Sequence, residues 1–174
     1  MLHNSGVVAY PTEAVWGLGC DPWSERAVSK ILQLKGRAES KGLILITDQG
    51  RHFAPFLQGL DRDQLAPFSR SYDKPVTWLV PHNGMAPDWI VGEHDTLALR
   101  VTTHPLAAAL CRAFGGPLVS TSANPQGLPA ATTGLKVKTY FGRRLDYQTP
   151  GSVGSARRSS EIRNLLTGEV VRSG

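Results

Sequence analysis

The sequence predicts an α/β or α+β fold, a single domain around one twisted, mixed β-sheet with flanking helices. Three observations predict it. Short β-branched or apolar runs alternate with segments of helical periodicity, the pattern of a sheet covered by helices. The 174 residues suit one domain of ordinary size, and an apolar content of 41% supplies a real core. The 12 prolines and 18 glycines are scattered between the apolar runs, so they punctuate elements and mark no linker.

Val7-Val-Ala-Tyr10 is a buried strand stopped by Pro11, and Trp16-Gly-Leu-Gly-Cys20 is a second extended piece. Ser24 is a helix N-cap, with Ala27, Val28, Ile31, Leu32 and Leu34 following on one helical face. Leu43-Ile-Leu-Ile-Thr47 is apolar almost throughout, as expected of a strand covered on both sides. Residues 53–57 and 61–71 are expected to be helical. Strands follow at Val76–Val80 and Thr96–Val101, then an Ala-rich helix over 105–113, entered through His104-Pro105. Leu118-Val-Ser-Thr121 is a strand that opens into the Ser122-Ala-Asn124 loop. A helix near 133–141 precedes a terminal hairpin formed by Ser160–Leu166 and Glu169–Arg172 around Thr167-Gly168.

Composition narrows the function classes. Cys20 and Cys111 stand far apart without a CxxC spacing, so both are expected in the core. The five histidines show no zinc-ligand spacing. The N-terminus lacks a signal-peptide pattern, and no apolar run approaches the roughly 18 residues of a membrane helix; a cytoplasmic location without membrane contact is expected. Trp16, Trp23, Trp78 and Trp89 are expected as core or pocket wall, since their spacing makes no base-stacking stripe.

The net charge of +5 is uneven. Residues 1–135 hold 11 Lys/Arg against 11 Asp/Glu, whereas residues 136–174 hold 8 against 3. Lys136, Lys138, Arg143, Arg144, Arg157, Arg158, Arg163 and Arg172 therefore make a candidate footprint for RNA or another polyanion.

Two distant stretches carry the chemistry. Lys35-Gly-Arg-Ala-Glu-Ser-Lys41 places Lys35, Arg37 and Lys41 within seven residues, and Ser120-Thr-Ser-Ala-Asn124 offers hydroxyls, a carboxamide and small residues beside which backbone N–H groups can approach an anion. Together they suit a polyphosphate. No GxxxxGK[ST], strand-borne GxGxxG or kinase catalytic loop is present. A nucleotide site here neutralises its triphosphate with side-chain cations and phosphate-bound metal.

Tyr10-Pro-Thr-Glu-Ala-Val-Trp-Gly-Leu-Gly19, Leu34–Ile44 around the cation cluster, Pro75-Val-Thr-Trp78, Leu99-Arg-Val-Thr-Thr-His-Pro105, Ser120–Asn124 and Ser160–Arg172 closely resemble, in order, the YrdC/TsaC family of bacterial threonylcarbamoyl-AMP synthases. The resemblance covers nearly the whole chain. It implies a YrdC-like fold and a nucleotidyl transfer: L-threonine and bicarbonate or CO2 give a carbamate, which attacks the α-phosphorus of ATP and releases pyrophosphate. Partner proteins of tRNA modification would accept the adenylate for N6-threonylcarbamoyladenosine.

It further implies roles for single residues. Lys35 and Arg37 would be catalytic, with Lys35 near the carbamate and α-phosphate. Arg37, Lys41, Ser122 and Asn124 would hold phosphates, with Thr77 and Arg172 at further nucleotide positions. Thr12, Arg100, Ser120 and Ser160 would take the threonine, Arg100 by a fork suited to its carboxylate. Buried on an apolar strand, Arg100 needs a partner, so a structural ion pair is its competing role. Magnesium would ride on the phosphates, with no protein ligand assigned. Glu13 suits a magnesium ion, the threonine ammonium, or the orientation of Lys35 or Arg37. Three departures from the family stand out: a start only six residues before the first strand, Ser71–Pro75 in place of a Gly/Pro-rich turn, and Arg157-Arg158 in the 149–159 loop. The basic C-terminal stretch supports a second reading, an RNA-binding module for double-stranded RNA, tRNA or ribosomal RNA.

Overall fold

The computed structural model describes residues 1–70, 72 and 74–174. Its strands are β1 (Val8–Pro11), β2 (Trp16–Gly19), β3 (Ile44–Thr47), β4 (Val76–Pro81), β5 (Thr96–Val101), β6 (Leu118–Ser122), β7 (Tyr147–Gln148), β8 (Glu161–Asn164) and β9 (Val170–Arg172). Among the described residues they form one sheet in the order β7-β1-β2-β6-β3-β5-β4-β8-β9. It is mixed: β1/β7, β3/β5 and β4/β8 run parallel, and the remaining neighbours antiparallel.

The helices are α1 (Glu25–Lys35), α2 (Arg62–Leu65), α3 (Asp88–Val91), α4 (Pro105–Phe114) and α5 (Gly134–Phe141). Ser24 caps α1 as expected, its hydroxyl accepting the Ala27 N–H. The helix near 133–141 starts one residue inside its expected edge because Thr133 is the cap, accepting from the Lys136 N–H. The expected helix over 53–57 is a 3-10 helix over Gly50–Leu57 with Pro55 inside; proline removes a donor and clashes with the preceding turn, which disfavours the α form. The one expected over 61–71 is only α2 followed by a 3-10 turn, Ala66–Ser69, with Pro67 at its start. Positions 71 and 73, within the expected departure at Ser71–Pro75, lie outside the described residues. The sequence reading missed α3 and β7, each too short to show a period. β8 and β9 form the expected hairpin, and β8 also extends the sheet by pairing with β4.

The alternation of side chains across each strand makes two unlike faces. On one, Ala9, Leu18, Val119, Leu45, Leu99 and Trp78 pack with Ala27, Val28, Ile31 and Leu32 of α1 and with Phe53 and Phe56. On the other, Val8, Tyr10, Ile46 and Leu118 pack beneath Ala107 and Cys111 of α4. The N-terminal turn Leu2–Asn4 lies on that same side, with His3 stacked on Phe114 at 4.6 Å.

α4 covers only part of the second face. Farther along the same strands, a row in register runs from Ser120 through Ile44 and Ala98 to Leu79, with Ser122 opposite Gly17 beside it. This row lies open. A buried Leu or Ile contributes about 1.5–3 kcal/mol, so half-buried Ile44 and Leu79 forfeit part of that on this row, whereas its serines, glycine and alanine forfeit little. The fold leaves a groove of mixed character, with apolar side chains beside the hydroxyls and cations.

Candidate functional site

α1 ends on Gly36 at φ 62°, a left-handed conformation that glycine adopts without penalty, while the Arg37 N–H returns to the Leu32 carbonyl at 3.0 Å. This reversal turns the cation cluster back toward the sheet edge. Lys35, only 5% exposed, donates from Nζ to the Ser122 carbonyl, to the Asn124 carbonyl at 2.9 Å and to Asn124 Oδ1 at 3.4 Å. The Gln126 N–H donates to the Lys35 carbonyl at 2.6 Å. The two distant stretches therefore meet through both side chain and backbone.

Asn124 spends its amide on its own loop, donating to the Leu128 carbonyl at 2.7 Å and the Pro125 carbonyl at 3.2 Å. It shapes the loop and does not reach the groove. Arg37 donates from one terminal nitrogen to the Lys41 and Gly42 carbonyls, both at 3.0 Å, and its buried Nε has no partner. Gly42, at φ 56°, lies against the Val91 carbonyl so closely that a Cβ would stand 2.6 Å from it. The unforeseen α3 is thus the platform under the cation turn: Leu43 N–H donates to Ile90 and Glu93 N–H to Ser40.

The groove above the open row encloses about 330 Å³. Of the expected residues, Thr12, Arg37, Lys41, Arg100, Ser120, Ser122, Ser160 and Arg172 line it, whereas Lys35, Thr77 and Asn124 stand behind its wall. No Asp or Glu is among its described lining residues. Four cations facing one volume, with no carboxylate among its described lining residues, favour an anion there. Gly17 and His94 also line it and were not foreseen. Gly17 lay within the Tyr10–Gly19 resemblance without a role of its own, and its pairing opposite Ser122 is what places it on the groove.

On the β4–β8 side, Thr77 Oγ1 and Ser160 Oγ share a hydrogen bond at 2.7 Å, and Arg172 donates to the Ser160 carbonyl at 2.8 Å. Burial, with the field of Arg100, holds the Arg172 guanidinium below its ordinary pKa. The Thr12 hydroxyl donates to the Val15 carbonyl at 2.7 Å and keeps its lone pairs for the groove. Arg100 has Glu13 at 3.9 Å. Glu13 meets neither Lys35 nor Arg37, the two partners considered from sequence, because the β1–β2 turn carries it toward β5. Burial alone would raise its pKa; the Arg100 charge and the Thr102 and Thr103 hydrogen bonds outweigh that and hold it below the usual carboxylate value.

Burial, with Arg37 nearby, pulls the Lys35 ammonium from 10.5 to about 8. The lysine is thus charged below pH about 8 and loses its proton above it. Two opposite trends are expected. Between pH about 8 and 10.5 the unfolded chain binds the extra proton, so this group's contribution to stability rises with pH. Over the same range the loop loses its cationic clamp, and affinity for a non-hydrolysable ATP analogue falls. Lys35→Arg, which stays charged, should abolish that alkaline limb in a calorimetric titration.

Other expectations resolve simply. Cys20 and Cys111 are buried core thiols, pushed far up and to about 12 respectively, chiefly by burial. Trp23 departs from the core expectation: it is 54% exposed, with its ring 6.2 Å from that of Phe56. Three of the basic C-terminal residues are committed elsewhere than to a surface footprint. Arg172 enters the groove, Arg163 pairs with Glu161, and Arg144 donates to the Tyr140 and Phe141 carbonyls beyond α5. Among the described residues no cluster of His, Cys, Asp and Glu could hold a metal ion, and no helix is long and apolar enough to cross a membrane.

The Sua5–YciO–YrdC family model, described as telomere recombination, matches residues 1–174. The threonylcarbamoyl-AMP synthase of Cellvibrio japonicus is 54% identical over 172 residues, covering 99% of this chain and 91% of the relative. Among solved structures, the H234A/Y235A form of P. abyssi Sua5 superposes with a TM-score of 0.90 at 26% identity, over 98% of this chain and 52% of that one. P. abyssi Sua5 complexed with L-threonine superposes with a TM-score of 0.86 at 26% identity, over 94% and 48%. The chain spans about half the length of these Sua5 chains.

Proposed function

The chain belongs to the Sua5–YciO–YrdC family, and from that premise we propose that it is the enzyme making L-threonylcarbamoyladenylate. Its substrates are L-threonine, bicarbonate or CO2, and ATP; pyrophosphate leaves, and the product serves tRNA N6-threonylcarbamoyladenosine formation. The observation that carries this reading is the convergence of Arg37, Lys41, Arg100 and Arg172 with the hydroxyls of Thr12, Ser120, Ser122 and Ser160 on one groove without carboxylates. Relatives named threonylcarbamoyl-AMP synthase, and a Sua5 structure holding L-threonine, support it.

The threonine nitrogen first takes up CO2, giving a carbamate. A carbamate oxygen then forms a bond to the α-phosphorus while the bond from that phosphorus to the bridging oxygen of pyrophosphate breaks, a nucleotidyl transfer. Such a step needs alignment and charge neutralisation more than a protein nucleophile. Arg37 and Lys41, with Ser122, would hold phosphate oxygens. Arg100, Thr12, Ser120 and Ser160 would take the amino acid, with Arg172 on the nucleotide side and Thr77 supporting Ser160 from behind the wall. Lys35 and Asn124 would act at the Ser122–Asn124 loop, with the lysine charge behind the α-phosphate. With no carboxylate among the described residues of the groove, magnesium would be held by the phosphates themselves, where it offsets their charge. A cytoplasmic location belongs to this reading, as do partner proteins that accept the labile adenylate.

Pyrophosphate release measured with purified chain tests it. Release should require L-threonine and bicarbonate together. Release that ignores threonine would overturn the reading, and salt-sensitive RNA binding with no such release would favour the RNA-binding module.

A further inference from the structure

We propose that Glu13 is a positioning residue that aims Arg100 at the carboxylate of the substrate amino acid. The inference rests on the synthase reading and adds to it the residue that sets how that carboxylate is gripped. Glu13 and Arg100 are each 8% exposed, on the β1–β2 turn and β5 respectively. One Glu13 oxygen is anchored twice: Oε1 accepts from Thr102 Oγ1 at 2.7 Å and from the Thr103 N–H at 3.0 Å. The other, Oε2, is sealed from solvent without a hydrogen-bond partner and lies 3.9 Å from a terminal nitrogen of Arg100. That distance is an electrostatic contact, too long for a hydrogen bond.

The geometry separates two roles for the carboxylate. Oε2 is inaccessible, so a substrate ammonium cannot reach it. Held in its charged form, Glu13 is also a poor base for an amine. Its remaining influence runs through Arg100. Among the described residues, Glu13 is the only carboxylate within 4.0 Å of that guanidinium. Arg172 lines the same groove, and its like charge disfavours holding the Arg100 guanidinium there. Glu13 offsets that repulsion, so two guanidiniums can share one groove, and at 3.9 Å it leaves the Arg100 donors free for a substrate. A close bidentate pair would have consumed the fork that the substrate needs. The 149–159 loop is tied to the same turn, with Gly154 N–H donating to the Thr12 carbonyl and Ala156 N–H to that of Glu13.

The test is a two-by-two cycle on the full chain: wild type and Glu13→Gln, each titrated calorimetrically with L-threonine and with L-threoninol, which keeps the amine and hydroxyl but has no carboxylate. The expected result is a 10- to 50-fold loss of L-threonine affinity in the variant, with L-threoninol changed less than twofold. Equal weakening of both ligands would mean a merely structural role and overturn the inference, as would no change in either. Thr102→Val, which removes one anchor and keeps the charge, should show the same selective loss at about three- to fivefold, and it carries the test if Glu13→Gln does not fold. If wild-type protein fails to bind L-threonine, the synthase reading falls together with this one. If wild type binds it and both variants bind it equally well, only the role of Glu13 falls.

Discussion

Arg37→Ala lowers threonine- and bicarbonate-dependent pyrophosphate release by about 100-fold or more, the expected cost of losing one preorganised donor at a site of developing charge. The size follows from how Arg37 is held. Its guanidinium is braced on the Lys41 and Gly42 carbonyls, both at 3.0 Å, and its Nε is buried without a partner. An arginine so placed is oriented before substrate arrives, and burial lowers its pKa by disfavouring the bare charge. A phosphate would supply the missing counter-charge. Alanine removes both the charge and the brace; Lys41 is exposed and its carbonyl can turn to water, whereas Gly42 is buried, so the stability cost is about 1–3 kcal/mol. Arg37→Lys should recover little, because an ammonium that keeps the two carbonyl bonds of one arginine nitrogen has no second arm of donors left to offer a phosphate. The measurement is a coupled pyrophosphate assay beside urea unfolding. Activity within about threefold of wild type in the alanine variant would remove Arg37 from the chemistry.

The second large effect is Lys35→Met, where activity and stability should part company. Methionine keeps much of the side-chain volume and loses the ammonium that joins the Ser122 and Asn124 carbonyls to α1. Leaving those acceptors unmet costs about 1–3 kcal/mol each. Against this, burying the charge is itself unfavourable: the drop from 10.5 to about 8 corresponds to about 3 kcal/mol of penalty at neutral pH. The two effects oppose one another at similar size, so the net change in unfolding free energy should be within about 2 kcal/mol. Pyrophosphate release should nevertheless fall more than about 100-fold, because the loop and the positive charge behind it are lost together. A variant that unfolds at room temperature would show that the clamp matters far more to stability than this balance allows. A variant that keeps its activity would show that the loop holds its shape without the lysine.

Much of the fold was legible in the chain because its signals are local. The Ser24 cap, the helical spacing from Ala27 to Leu34, and the apolar run around Leu45 each declare an element within a few residues. Failures fell where a competing rule acts over the same short range. Pro55 and Pro67 turned expected helices into 3-10 turns, and α3 and β7 are too brief to display a period. Motif resemblance brought Lys35, Arg37, Ser122 and Asn124 together without geometry, and the groove residues Thr12, Arg100, Ser120 and Ser160 with them. It did not distinguish a side chain in the wall from one behind it. Lys35 and Asn124 stand behind, spending their donors on the loop, and Glu13 turned to Arg100 instead of the cation cluster.

By itself the sequence determined the element types, the polar composition of one strand face and the identity of the cations, since each depends on neighbours a few positions away. Tertiary structure alone decided that α4 covers part of that face and leaves the rest open, and that Arg172, from the last strand, lines the same groove as Arg37, just past the end of the first helix. Those outcomes depend on strand order and register, which bring residues more than a hundred positions apart within reach of one anion. No local pattern encodes them, because a cation on a strand looks the same in sequence whether its face is covered or bare.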